Sequence, residues 1–175
     1  MIIYRELTMD DAEKLVEIDR SEHIDFTYEL RNGEVVEVPA GHQCPNWDVD
    51  QVRELINRYK LELGLGGKAF GAFDNGVLAG FAVLGHKFRG KKTDQLQVDL
   101  MYVSRTYRRQ GIGTRLLEEI GQEARRRGAA SLYISSTETA SAVGFYRSNG
   151  SELADDIDEE LFRLEPLDIH MIKKL

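Results

Sequence analysis

The chain has 175 residues, of which 42% are hydrophobic and 30% are charged, and its formal net charge is −7 at pH 7. This length predicts a single domain with a sizeable core, and the negative charge argues against general nucleic-acid binding. No apolar stretch approaches the roughly 20 residues of a membrane span, no signal peptide is recognisable, and the single Cys44 excludes an internal disulfide, so we expect a cytoplasmic protein without a membrane partner.

In chain order, the first third of the sequence predicts a strand, a helix and a hairpin. Ile2–Tyr4 is apolar and indicates a strand, and Thr8 can cap a helix that continues to about Arg20. The dipeptide Asn32-Gly33 is a strong signal for a type I′ turn, which predicts a hairpin over Phe26–Val38.

The middle of the chain predicts a second helix and then a run of antiparallel strands. Asp48 can cap the helix, and apolar residues follow it at helical spacing. Ala69–Phe73 and Val77–Leu84 flank another Asn-Gly turn and predict a hairpin, and Gln95–Val103 predicts a third antiparallel strand.

The last part of the chain alternates helices with strands. A long amphipathic helix is predicted over residues 110–127, followed by a strand at Leu132–Ile134, a short helix at Ala140–Ser148 and a terminal strand at Leu167–Ile172. Because the strands first meander and then alternate with helices, we predict a mixed α/β sheet with helices on both faces.

The segment from Met101 to Leu117 carries the clearest functional signal. A predicted strand ends at Val103, a basic turn follows, and two glycines, Gly111 and Gly113, open the long helix. A helix N-terminus has unpaired N–H groups and a partial positive charge, and glycines let a phosphate approach the backbone closely. Arg108 and Arg109 add positive charge beside these donors, so the segment predicts a diphosphate site.

Two other classes of glycine-rich phosphate loop do not fit the sequence. A P-loop requires Gly-Lys followed by Ser or Thr, but Gly67-Lys68 is followed by Ala69, and Glu62 occupies the position of the leading glycine. A dinucleotide fingerprint would place a third small residue at Leu116.

The pattern Arg108-x-x-Gly111-x-Gly113 resembles the pyrophosphate loop of the GNAT superfamily of N-acetyltransferases. Two flanking segments strengthen the resemblance, which extends from about Ala69 to Gly150: Gln97–Val103 is similar to the family's fourth strand, and Thr139–Gly150 is similar to its tyrosine-bearing helix. The resemblance implies an α/β (α+β) fold with a mostly antiparallel central sheet of about seven strands. It also implies acetyl-CoA as co-substrate, whose pantetheine arm inserts between the splayed fourth and fifth strands, and we expect no metal.

The resemblance assigns candidate cofactor contacts residue by residue. Main-chain groups of the strand end would pair with the pantetheine arm, the loop would bind the diphosphate, and Thr139 stands where many relatives have a cofactor-contacting Asn, although it can equally be a helix N-cap. The candidates are therefore Met101, Tyr102, Val103, Arg108, Arg109, Gln110, Gly111, Ile112, Gly113, Thr114 and Thr139. We divide the single domain into residues 1–66 on the acceptor side, 67–150 as the cofactor-binding core, and 151–175 as C-terminal strands.

Amide formation from an amine requires a base for the ammonium and benefits from an acid for the leaving thiolate. Tyr146 matches the family's tyrosine near the sulfur and is the predicted acid. Many relatives carry a glutamate at the position of Gln97, which cannot accept a proton, so Asp99 on the same predicted face is the candidate base. A base from another segment and deprotonation by solvent both remain open.

These observations predict an N-acetyltransferase that moves an acetyl group directly to an amine in a ternary complex. Acidic and aromatic residues in the region of the predicted Phe26–Val38 hairpin would suit a small or peptidic, cationic acceptor. They are Asp25, Glu29, Glu34, Glu37, Phe26, Tyr28 and Trp47. The alternative is a non-catalytic acyl-CoA sensor or interaction module, which Gln97 favours and Tyr146 disfavours. Relatives are often dimers, so a homodimer is compatible with the resemblance.

Overall fold

A computed structural model describes all 175 residues of the chain. Most strands belong to one seven-stranded sheet in the spatial order β1-β4-β5-β6-β7-β9-β8, and β2 and β3 form a separate two-stranded sheet. The strands are β1 (Ile2–Leu7), β2 (Glu22–Arg31), β3 (Glu34–Cys44), β4 (Lys68–Asp74), β5 (Val77–Arg89), β6 (Gln95–Val103), β7 (Ser131–Ser136), β8 (Glu152–Leu153) and β9 (Ile169–Lys174). The α-helices are α1 (Val49–Gly64), α2 (Ile112–Arg126), α3 (Ala140–Ser148) and α4 (Glu159–Leu164).

The large sheet is antiparallel except at one junction. β1, β4, β5 and β6 pair antiparallel in succession, and β7 pairs antiparallel with β9. Only β6 and β7 are parallel, as expected for two strands joined by a helical crossover through α2. The predicted mixed, mostly antiparallel sheet is therefore confirmed.

Helices cover both faces of the sheet, each over its own apolar cluster. On one face, Leu116, Ile120 and Ala124 of α2 pack with Leu96 and Ile134 of the sheet. The opposite face carries α1 and a 3₁₀ helix at Met9–Glu17, whose buried side chains pack on β4, β5 and β6. No helix of the protein combines the length and the apolar character needed to cross a membrane.

Both predicted type I′ turns are present. Asn32 and Gly33 have φ angles of 50° and 80°, and Asn75 and Gly76 have φ angles of 49° and 82°, which is the left-handed conformation that this turn requires at both central residues. The hairpin of β2 and β3 is longer than predicted. It is attached to the start of α3, where Tyr28 N donates to Glu138 O at 2.7 Å.

Three elements differ from the sequence-based prediction. The first helix is 3₁₀ rather than α, and it ends at Glu17 instead of Arg20. Its buried residues Ala12 and Leu15 and the buried C-cap residue Ile18 recur every three positions, and this spacing aligns side chains on a 3₁₀ helix. The short elements β8 and α4 were not predicted, because two and six residues are too few to show a period.

A buried polar network joins β7, β9 and the start of α4. Tyr133 Oη lies 2.7 Å from His170 Nδ1 and accepts a hydrogen bond from Asp158 N at 2.9 Å. His170 Nε2 is buried without a partner. Burial lowers the pKa of His170, opposed by the nearby Asp158, so the folded protein holds this imidazole neutral.

The pKa depression predicts a pH-dependent loss of stability. The unfolded chain takes up a proton at its ordinary pKa of about 6.5, before the folded protein does, so protonation of His170 opposes folding as the pH falls below that value. His170→Asn keeps a partner for Tyr133 but cannot titrate. We expect the stability advantage of the wild type over this variant, measured by urea unfolding, to shrink between pH 8 and pH 5.5. A difference that stays constant with pH would contradict this assignment.

Candidate active site

The parallel pairing of β6 and β7 is short, and this opens the sheet. Gln95–Gln97 pairs with Ser131–Tyr133, but β6 continues to Val103 and β7 to Ser136 without further pairing between them. β6 therefore presents an unpaired main-chain edge across a gap from the end of β7. Unsatisfied edges of this kind can accept an extended ligand as an additional strand.

A cavity of about 500 Å³ lies at this gap. It extends between β6, the loop before α2, the start of α3 and the first residues of β2. Eleven of the thirteen predicted site residues line it: Met101, Tyr102, Val103, Arg108, Arg109, Gly111, Ile112, Gly113, Thr114, Thr139 and Tyr146. The other two, Gln110 and Asp99, lie outside its lining.

The main chain of the loop before α2 can form an anion site. Arg109 and Gly111 have left-handed φ angles of 63° and 84°. The N–H groups of Arg109, Gln110 and Gly111 donate to no other backbone group, and the first N–H groups of α2 lack intrahelical partners, as at every helix start. Several donors and the positive end of the helix therefore converge at the cavity. The exposed Gln110 instead donates from its side chain to Thr106 O at 3.3 Å.

Arg108 lines the cavity and also holds the loop before α2 in place. Its guanidinium donates to the carbonyls of Val103 at 2.9 Å, Ser21 at 3.0 Å and Asp19 at 3.4 Å. Glu22 lies 3.7 Å away. The side chain thus fastens the loop before α2 to the segment that enters β2, and of the two arginines only Arg109 is exposed and free of such bonds.

The two glycines of the motif are required for different reasons. Gly111 has a positive φ, and a Cβ placed there would meet nothing within 4 Å. At Gly113 a Cβ would lie 2.9 Å from the ring of Phe145. The open space at Gly111 is compatible with the predicted approach of a phosphate, whereas the absence of a side chain at Gly113 lets α3 pack against the start of α2.

Tyr146 reaches the gap from α3. The residue is 9% exposed, and its hydroxyl makes no hydrogen bond within the protein. Burial raises the pKa of this phenol, and the nearby Tyr102 and Asp168 raise it further. The hydroxyl therefore keeps its proton at neutral pH and can donate it.

Thr139 caps α3 as well as lining the cavity. Its hydroxyl accepts a hydrogen bond from Ala142 N at 3.3 Å, and its main chain forms a bridge with Thr27 of β2. The two roles left open by the sequence are therefore compatible, since the capping hydroxyl lies in the cavity wall.

Asp99 lies in an ion pair instead of facing the cavity. Arg58 of α1 contacts both carboxylate oxygens, with Nη2–Oδ1 at 3.0 Å and Nε–Oδ2 at 3.2 Å, and also donates to Asp99 O. The register of β6 against β5 shifts at this point, so that one extra residue bulges out. Gln97, on the same face, is 6% exposed.

This pairing predicts a structural effect for Asp99→Asn. A hydrogen bond to a charged partner contributes about 1.5–3 kcal/mol, so we expect a loss of stability of that order in urea unfolding. The pH–rate profile should keep its shape, since both carboxylate oxygens contact Arg58 and the side chain does not line the cavity. A loss of activity that high pH rescues would instead identify Asp99 as the base.

Residues 24–150 match the sequence model of the Acetyltransferase (GNAT) family. The chain belongs to this family. The match spans both the loop before α2 and the tyrosine of α3, and so includes the whole of the motif that carries the resemblance.

Solved structures share this GNAT fold over the full chain. Nourseothricin acetyltransferase is 24% identical with a TM-score of 0.73, and the alignment covers 99% of this chain and 98% of that one. A putative streptothricin acetyltransferase from Bacillus anthracis, in complex with acetyl coenzyme A, is 18% identical with a TM-score of 0.72 over 100% and 99% of the chains. The PaiA N-acetyltransferase from Thermoplasma acidophilum, in complex with coenzyme A, is 20% identical with a TM-score of 0.63 over 100% and 99%. No curated protein matches the chain.

Two of these structures are complexes with acetyl coenzyme A or coenzyme A, which supports acetyl-CoA as the co-substrate of a GNAT protein. The cavity fits such a ligand. The anion site at one end would take a diphosphate, and the open edge of β6 leads from it to Tyr146. No cluster of three or more His, Cys, Asp or Glu side chains is arranged to hold a metal ion.

Two carboxylates that the sequence did not indicate border the cavity. Glu22 of β2 lines the cavity and accepts a hydrogen bond from Ser141 at 2.9 Å, and Glu138 lines it from the loop before α3. No local pattern could reveal these positions, because β2 meets α3 only through long-range contacts.

Proposed function

We propose that the protein is an acetyl-CoA-dependent N-acetyltransferase that transfers the acetyl group directly to a primary amine in a ternary complex. The observation that carries the proposal is the continuous cavity from the unpaired N–H groups of the loop before α2, along the edge of β6, to the Tyr146 hydroxyl. Family membership supports the transferase activity.

The residues would share the reaction as follows. The N–H groups of residues 109–114 and the exposed Arg109 would hold the diphosphate, and the main chain of Met101–Val103 would pair with the pantetheine arm. Tyr146 would give its proton to the leaving sulfur, since its raised pKa keeps the phenol protonated. Thr139 would contact the cofactor from the start of α3. The lone Cys44 is not needed, because a ternary complex requires no acetyl-enzyme.

The structural relatives suggest the first acceptors to test. One is described as a nourseothricin acetyltransferase and another as a putative streptothricin acetyltransferase. Carboxylates from Glu22 and Glu138 border the cavity, which favours a cationic acceptor. We would measure coenzyme A release with a thiol reagent for nourseothricin, spermidine, L-lysine and a peptide with a free N-terminal alanine. Release that depends on one of these amines supports the proposal. Acetyl-CoA binding without release for any of them would support the non-catalytic alternative.

A further inference from the structure

Asp168 lies beside the end of β7, on the opposite face of the sheet from α2 and α3 and outside the lining of the cavity. Asp168 directly precedes β9, whose first residue Ile169 pairs with Ser136 at the end of β7. Ser135 Oγ donates to Asp168 Oδ2 at 2.8 Å. Because Ile134 packs in the cluster under α2 and side chains alternate along a strand, Ser135 and Asp168 lie on the other face.

Asp168 and Asp99 differ in the hydrogen-bond partners of their carboxylates. Asp99 contacts a guanidinium through both oxygens, whereas Asp168 has one neutral hydroxyl on Oδ2, no salt bridge, and no protein partner for Oδ1. The residue is half-buried. It is therefore an ionisable group with an oxygen free for a ligand.

Asp168 also acts on the tyrosines that border the gap. Burial is the main cause of the raised pKa of Tyr146, and the charge of Asp168 contributes to it. The same charge contributes to the raised pKa of Tyr102, where burial again dominates. Tyr146 comes from α3 on one face and Asp168 from the other, so a thioester held in the gap would have an acid on one side and a carboxylate on the other.

We propose that Asp168 binds the ammonium group of the acceptor and removes its proton, so that the amine attacks from the face of the sheet that carries α1 and α4. This inference rests on the proposed N-acetyltransferase function. It assigns the acceptor as a primary amine that is protonated in solution, and it leaves Asp99 as a structural partner of Arg58.

The surroundings of Asp168 prepare it for this role. Burial is the main cause of its raised pKa, which is about 6. The negative charges of Glu165 and Glu138 also raise the pKa, whereas the hydrogen bond from Ser135 and the positive charge of Arg58 lower it. Tyr102 and Tyr146 are the other titratable groups that sense its charge. The carboxylate is thus ionised above pH 7 and is a stronger base than an ordinary aspartate, whose pKa is about 3.9.

The step balances in protons and electrons. The ammonium gives one proton to Asp168, and the nitrogen lone pair forms a bond to the thioester carbonyl carbon. The carbon–sulfur bond then breaks, and its electron pair leaves on sulfur, which takes a proton from Tyr146. The second proton of the new amide nitrogen restores the Tyr146 phenol through solvent, and Asp168 releases its own proton to solvent.

The first test is Asp168→Asn, assayed with whichever of the four named amines the wild type acetylates fastest. We expect kcat/KM at pH 7.5 to fall by about 10²- to 10⁴-fold, as for loss of a general base, with an unchanged Kd for acetyl-CoA. Glu152→Gln is the matched control, since it removes an exposed carboxylate of β8 that takes no part in the surroundings of Asp168, and it should match the wild type. An Asp168→Asn rate within twofold of the wild type would overturn the inference.

The pH dependence of kcat/KM distinguishes a base from a purely structural residue, because only the loss of a base would change it. Wild-type kcat/KM should decline below about pH 6, where Asp168 becomes protonated. In Asp168→Asn this break should vanish, and the rate should rise about tenfold per pH unit towards the pKa of the amine, ~10. Ser135→Ala should move the break to higher pH, because the lost hydrogen bond stabilises the carboxylate. A break that stays in place in both variants would overturn the inference.

Failure of the underlying function is distinguishable from failure of this inference. A wild type that binds acetyl-CoA but acetylates none of the four amines would overturn the proposed function and, with it, the role of Asp168. An active wild type with unaffected Asp168 and Ser135 variants would overturn only the role of Asp168.

Discussion

Tyr146→Phe is expected to lower kcat by about 10²- to 10⁴-fold, the usual contribution of a general acid. The substitution keeps the ring that packs in the cluster under α2 and removes only a hydroxyl without a hydrogen-bond partner in the protein. Stability and the Kd for acetyl-CoA should therefore change little. Steady-state kinetics, together with calorimetric titration of acetyl-CoA, would separate the two effects.

Tyr107→Phe provides the control for this experiment. Tyr107 lines the same cavity, but its hydroxyl donates to Asp74 at 2.9 Å, away from Tyr146. Its removal should leave kcat within about twofold of the wild type. If Tyr146→Phe behaved like this control, Tyr146 would be a packing residue and the leaving sulfur would take its proton from elsewhere.

Gly111→Val is expected to weaken acetyl-CoA binding by at least tenfold. A side chain at Gly111 would extend into space that no protein atom occupies within 4 Å of its Cβ, where we place the diphosphate. Each lost charge-assisted hydrogen bond removes about 1.5–3 kcal/mol, and 1.4 kcal/mol corresponds to a tenfold change in Kd. Isothermal titration with acetyl-CoA measures the effect directly.

Gly128→Val is a matched control at the other end of α2. Gly128 has a φ of 95°, close to the 84° of Gly111, and a Cβ there also meets nothing within 4 Å. Both substitutions impose a similar backbone strain of about 1–2 kcal/mol, but only Gly111 borders the cavity. Equal losses of affinity in the two variants would mean that strain, not occupation of the phosphate site, causes the effect.

The sequence predicts those parts of the fold that short-range chemistry determines. Both Asn-Gly turns are where the dipeptides place them, and Asp48 caps α1 by accepting from Gln51 N at 2.8 Å. The 3₁₀ helix was mistaken for an α-helix, because three apolar residues at a spacing of three also fit one face of an α-helix over so short a span.

The candidate site likewise contains residues that the sequence predicts and residues that it does not. The loop before α2 is contiguous in the sequence, so its residues could be named from their order. Two of the carbonyl partners of Arg108, Ser21 and Asp19, lie more than 80 residues away in the segment before β2, and Asp168 comes to lie beside the end of β7 only through the pairing of β9 with β7. Such juxtapositions depend on sheet order, and no periodicity in the sequence encodes that order.

The three hydrogen bonds from Arg108 to main-chain carbonyls hold one part of the glycine loop in place. A lysine could not replace this arginine, because a single ammonium cannot match the planar spacing of the guanidinium donors. Arg109 and Gln110, by contrast, are exposed. Anyone who grafts this loop onto another scaffold must therefore transplant the segment before β2 with it.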